Sequence, residues 1–232
     1  MRLLTPLFFL IAVALADKSP QEVIDYIYHL QQKRILPDAI VSKIPASSKN
    51  LFSPMRVMPL ESAQIVSGRR HTECEVPHEL AHDLAAAYFP FVGDHKANDM
   101  ECSWGNQFIY GGGGDDTIRD HWGNNFIYPG SGNDTVDAGW GSDVILYFPG
   151  WGHDSLDKTC HESTYFRKPE DTGPSNLSYR WEKTNFLIFG GGISERDIFI
   201  DGDVIRNVKT GDTITTNHLD TQNCFNFIFT GD

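Results

Sequence analysis

Hydrophobic positions between Cys102 and Asp157 recur every nine residues. Set in rows, the chain reads CSWGNQFIY, GGGGDDTIR, DHWGNNFIY, PGSGNDTVD and AGWGSDVIL. Tyr147 and Phe148 intervene, and PGWGHDSLD closes the set. The eighth place is always aliphatic: Ile109, Ile118, Ile127, Val136, Ile145 and Leu156. The fourth place is always glycine, and the sixth is Gln107, Asn125 or an aspartate. Each row therefore predicts a glycine-rich turn followed by a short strand whose middle side chain points inward. Two rows make one coil of eighteen residues, and stacked coils make a parallel β-roll of two sheets. The fold class expected is mainly β, with a small helical cap before the roll and a strand-rich section after it.

The places flanking the aliphatic one differ between the sheets. Phe108, Tyr110, Phe126 and Tyr128 put aromatic rings on the outer face of one. Thr117, Arg119, Thr135, Asp137, Ser155 and Asp157 make the other polar. A bare aromatic face of that size is unusual, so flanking sequence is expected to cover it rather than a ligand.

Upstream, the period changes. Ser19-Pro20-Gln21-Glu22 is a capping box with proline at the first helical position. It predicts a helix from Pro20 to about Arg34, with Val23, Ile24, Ile27 and Leu30 on one face, stopped by Pro37. A shorter helix is expected over 38–43, loop over 45–70, and an amphipathic helix over Val76–Tyr88. At the N-terminus, Arg2 precedes an apolar run from Leu3 to Leu15, and Ala14-Leu15-Ala16 fits a cleavage site. This reads as a secretory signal peptide, since the run is short for a bilayer span. The organisation expected is a signal peptide over 1–16, a helical cap region over 17–100, the roll over 101–158 and a C-terminal β section over 159–232. An even set of four cysteines in an exported chain suggests two disulfides. Of the three pairings, Cys74–Cys102 with Cys160–Cys224 is the one expected.

Charge then singles out the turns. The chain carries a formal −12 with no basic stripe, which argues against nucleic acid as a partner. Eight Asp face a single Arg between Cys102 and Asp157, and twelve of the 21 glycines fall there. Carboxylates stacked about 4.8 Å apart repel strongly unless a cation lies between them. Calcium suits the place, because it accepts many oxygen ligands in flexible geometry. Rows two, four and six share one edge and supply Gly111, Gly112, Gly114 and Asp116, then Gly130, Gly132 and Asp134, then Gly150, Gly152 and Asp154. The inserted pair at 147–148 bears on the last of these. The other edge has amides at Gln107 and Asn125, with Gly141 and Asp143 as its acidic turn. Calcium is expected mainly on the first edge. Trp104, Trp122 and Trp140 recur every eighteen residues on the second edge and should stack, as structural glue or as a surface for sugar rings or a partner.

The row Gly111–Arg119 resembles the RTX, or haemolysin-type, calcium-binding nonapeptide, G-G-x-G-x-D-x-U-x, at every fixed place. The run from Phe186 to Ile200, with Asp201–Ile205 and Gly211–Ile214, is similar to the strand-rich segment that often follows such repeats. The resemblance implies a calcium-loaded β-roll in an exported, extracellular protein. It implies a binding or structural module, used in adhesion, carbohydrate or cell-surface binding, or as an exported effector. A second reading is enzymatic: His78-Glu79-Leu80-Ala81-His82 matches H-E-x-x-H, in which two imidazoles hold zinc and Glu79 acts as general base. Ala85 and Tyr88 stand where the extended zinc-protease pattern has glycine and histidine.

Overall fold

The computed structural model describes residues 18–36, 56–74, 87–157, 185–217 and 225–231. The signal-peptide segment, the short helix expected over 38–43, the His78–His82 motif and the pair Cys160–Cys224 lie outside the described residues.

The described residues are mainly β, with one N-terminal helix, α1 (Pro20–Gln32), and two sheets of eight strands each. The first sheet holds β1 (Arg56–Val57), β2 (Gln64–Ile65), β4 (Ala87–Val92), β6 (Gln107–Gly113), β8 (Phe126–Ser131), β10 (Val144–Tyr147), β12 (Asn185–Phe189) and β16 (Phe225–Phe229). The second holds β3 (His71–Cys74), β5 (Asp99–Trp104), β7 (Thr117–Trp122), β9 (Thr135–Asp137), β11 (His153–Asp157), β13 (Ile198–Asp201), β14 (Val204–Asn207) and β15 (Thr213–Thr216). From β3 to β12 successive strands alternate between the sheets, and pairing within each sheet is parallel. This is consistent with a β-roll. Among the described residues only β13–β14–β15 pair antiparallel.

The nine-residue period sets the register. Ile109 lies beside Ile127, and Ile118 beside Val136, one coil apart. All six aliphatics of the eighth place are buried between the sheets. Two further rows continue the phase upstream, placing Phe91 and Met100 in the same core. They escape notice in the sequence because Lys96 stands in the glycine place and Asn98 in the aspartate place. The region 17–100 thus contributes strands β1 to β4 as well as its helix. Several of these strands are only two to four residues long, too short for a period to show, so residues 56–70 read as loop.

The inserted Tyr147 and Phe148 are divided between two cores. Tyr147 turns between the sheets against Trp151, ring centroids 5.4 Å apart. Phe148 turns outward against Tyr26 of α1, at 5.0 Å. That outward face is the aromatic one, and α1 covers it. Val23, Ile24, Ile27 and Leu30 are buried against Tyr88, Phe108, Phe126, Tyr128 and Phe148. The helix begins where it does because the Glu22 carboxylate accepts the Ser19 amide at 2.7 Å and Ser19 Oγ accepts the Glu22 amide at 3.3 Å. It is tied down at both margins of the sheet. Tyr28 Oη accepts the Val57 amide at 3.0 Å, and Tyr26 Oη shares a 2.6 Å hydrogen bond with Thr230.

The expected disulfide Cys74–Cys102 is present. It joins two register partners of β3 and β5 inside the inter-sheet core. No helix among the described residues is long and apolar enough to cross a membrane.

Candidate metal centre

Turns of the even-numbered rows stack along one edge of the coil. Their glycines allow backbone to lie against backbone. Gly130 has φ +108°, and a Cβ there would overlap the Gly112 carbonyl oxygen. Such a turn admits only glycine.

Above these glycines stands a ladder of side chains. Asp116 Oδ1 accepts the Asn98 amide at 2.7 Å, Asp134 Oδ1 the Asp116 amide at 2.8 Å, and Asp154 Oδ1 the Asp134 amide at 2.9 Å. Each of these three sixth-place aspartates thus reaches back one coil. The insertion at 147–148 leaves Asp154 in the same relation to its neighbour. Fifth-place side chains reach forward instead. Asp115 Oδ1 accepts the Asn133 amide at 2.9 Å, and Asn133 Oδ1 accepts the His153 amide at 3.1 Å. Alternating Asx residues therefore clasp each coil to both of its neighbours.

The first oxygen of each aspartate is accounted for; the second is not. Oδ2 of Asp116, Asp134 and Asp154 is buried with no hydrogen-bond partner among the described residues. A buried anionic oxygen without a donor is costly. Burial pushes the Asp116 carboxyl up to about 8, and Asp134, Asp94 and Asp115 add to it. Burial, helped by Asp115, pushes Asp134 up to about 7. Burial and the neighbouring Asp134 push Asp154 up to about 9. Oδ2 of Asp116 lies 2.6 Å from the point where a Gly111 Cβ would stand, and the Pro129 carbonyl oxygen faces the same point. Carboxylate and carbonyl oxygens thus converge on a space kept open by glycine. An all-oxygen donor set with unshared negative charge suits a hard divalent cation such as calcium.

The opposite edge solves the same problem with amides. Asn125 Oδ1 accepts the Gln107 amide at 2.9 Å, Asp143 Oδ1 the Asn125 amide at 2.9 Å, and Asn185 Oδ1 the Asp143 amide at 3.0 Å. Asn125 Nδ2 then donates to Asp120 Oδ2 at 2.8 Å and to Asp143 Oδ1 at 3.0 Å. Asp143 and Gly141 therefore sit apart from the three acidic turns, on an edge where Asn125 Nδ2 donates to one oxygen of Asp120 and one of Asp143. On this edge Trp122 and Trp140 stack, centroids 5.1 Å apart and planes 11° from parallel. They remain 46% and 38% exposed.

A family model for the RTX calcium-binding nonapeptide repeat, in four copies, matches residues 103–136, 123–145 and 130–156. This stretch is an RTX repeat array. RTX repeats of this kind bind calcium. A search of the curated proteins finds no relative of the chain. The structure adds residues to the RTX pattern that spacing did not reveal. Asn98, just before the matched residues, starts the ladder one coil before Asp116. Asp94 flanks it, where burial is outweighed by hydrogen bonds from Ser67, Lys96, Asn98 and Gly68 that hold its carboxyl at about 2. Asp212 closes the far end by accepting the Gly150 amide at 2.7 Å. The G-D-T-I run at 211–214 was the signal for Asp212; Asn98 had none.

Proposed function

We propose that the chain is an exported calcium-binding protein whose RTX coil serves as an extracellular binding or structural module, rigid only when calcium is bound. The ions lie along the even edge. Asp116 with Gly111, Gly112 and Gly114, Asp134 with Gly130 and Gly132, and Asp154 with Gly150 and Gly152 supply the oxygens. Each aspartate divides its labour: Oδ1 holds the preceding coil and Oδ2 turns to the ion. Glycine carbonyls complete the shell from both sides. Calcium supplies the positive charge that lets these buried carboxylates ionise together. Gly141 and Asp143 belong to a weaker place on the amide edge, since Asn125 already serves that carboxylate.

The observation that supports this reading is the set of three buried, donor-less Oδ2 atoms on one edge. The exposed Trp122–Trp140 stack is the surface such a module would offer to a carbohydrate or cell-surface partner. The test is calorimetric titration of chelator-treated protein with calcium. Stoichiometric binding that falls in Asp116→Asn and Asp154→Asn supports the assignment. Binding left intact by both substitutions contradicts it.

A further inference from the structure

We propose that Tyr147 is a positioning residue for calcium at the last acidic turn: its hydroxyl donates to the Asp154 carboxylate and fixes the oxygen that Asp154 turns to the ion. The role rests on calcium binding along the even edge. Tyr147 is the last residue of β10 and Asp154 the second of β11, so the two flank one turn. Both side chains enter the space between the sheets. Tyr147 stands two residues after Ile145 and belongs with it to the inter-sheet core. Asp154 stands two residues before Leu156, is buried, and lies in register beside the core residue Ile214.

The first coil shows how near that place comes to the carboxylate. Gly111 stands two residues after Ile109, and Pro129 two after Ile127. A Cβ on Gly111 would lie 2.6 Å from Asp116 Oδ2. Tyr147 holds the same place in the last coil, two residues after Ile145. There the inserted pair delays the glycine turn to Gly150, and a full side chain takes the position. Trp151, from the turn itself, meets the Tyr147 ring edge-on at 5.4 Å, and its Nε1 donates to the Thr213 carbonyl at 3.2 Å. The phenol is thereby packed against the turn that carries Asp154.

Two atoms here each lack what the other offers. Tyr147 Oη is buried with no hydrogen-bond partner among the described residues, and so is Asp154 Oδ2. A buried hydroxyl without an acceptor and a buried carboxylate oxygen without a donor are each costly, and one hydrogen bond relieves both. The hydroxyl stays a donor: burial, then the charges of Asp154 and Asp134, hold it well above the ordinary tyrosine value. Calcium favours the contact, because a carboxylate ionised at the ion accepts more strongly than a neutral acid. A hydrogen-bonded ligand carboxylate typically holds its metal about 10–100-fold more tightly. Gly111 and Pro129 carry no such donor for Asp116 and Asp134. The insertion therefore sets the last turn apart from the two before it.

The test is titration of the chelator-treated full chain with calcium, read by calorimetry and by near-ultraviolet difference spectra, for the parent, Y147F and D154N. Phenylalanine keeps the ring packing and removes only the hydroxyl. In Y147F one class of calcium site should weaken about tenfold or more. The calcium-induced red shift of the tyrosine band expected in the parent should be lost with it. The calcium-loaded chain should melt lower in Y147F and the chelated chain should not, whereas a packing role would lower both. Unchanged calcium affinity in Y147F, with D154N impaired, overturns the role of Tyr147 alone. Calcium binding left intact by D154N overturns the even-edge assignment, and the role of Tyr147 with it.

Discussion

Asp134 holds Asp116 from the next coil: its Oδ1 accepts the Asp116 amide at 2.8 Å, while its Oδ2 is buried without a donor. One carboxylate thus has a structural oxygen and a spare one. The two roles can be separated by substitution.

Asp134→Asn keeps an oxygen for the Asp116 amide and removes the charge. Calcium affinity should drop at least tenfold, about 1.4 kcal/mol. Without calcium the variant should melt no lower than the parent at pH 8, because the buried Asp134 charge and its repulsion of Asp116 and Asp154 are removed. Thermal melts with calcium and with chelator measure both effects. A variant that loses stability equally in both conditions would place the role of Asp134 in the hydrogen bond alone.

The raised carboxyls set a pH dependence. In the unfolded chain they titrate near 3.8, and in the fold near 8, 7 and 9 for Asp116, Asp134 and Asp154. A group raised by folding contributes stability below its unfolded value and loses it as pH rises through its folded value. Chelated protein should therefore lose stability progressively between about pH 4 and 9. Saturating calcium should abolish or reverse that loss, and binding should release protons. Denaturant midpoints across this range, with and without calcium, decide the matter.

Gly130→Ala puts a methyl against the Gly112 carbonyl at a backbone φ of +108°. The cost expected is roughly 1–3 kcal/mol, with calcium binding weakened as the turns separate. Gly202, at φ +57° with open space around it, should lose less on the same change, since only the backbone term remains. Chemical denaturation of the two variants compares them.

Helix α1 is held by an apolar face. Ile27→Ala should cost about 2–5 kcal/mol. It should also expose Phe126 and Tyr128 enough to raise binding of a hydrophobic dye. Intact stability with no dye response would mean that α1 does not cover the sheet in solution.

Replacing Cys74 and Cys102 by alanine removes a link across a sequence separation of 28 residues. Loop-closure entropy predicts a loss of about 3–4 kcal/mol. Urea unfolding of C74A/C102A against the oxidised parent measures it.

Much of the coil is legible in the chain because its contacts repeat. Ile109 meets Ile127, and Asp116 meets Asp134, at a constant offset of eighteen. A repeated neighbour imposes a repeated residue type, so period, core positions and acidic edge all show in one dimension. The chain alone also carries the capping box that starts α1 and the cysteine pair that closes on β3 and β5. Tertiary structure alone decided the contacts that do not repeat. That α1 lies over Phe108 and Phe126 depends on tie points at Val57 and Thr230, far apart along the chain. That Asn125 serves Asp120, and that Glu101 meets both His71 and His121, depends on which side chains share a face after the strands align. Such contacts occur once each, and a residue used once leaves no pattern to read.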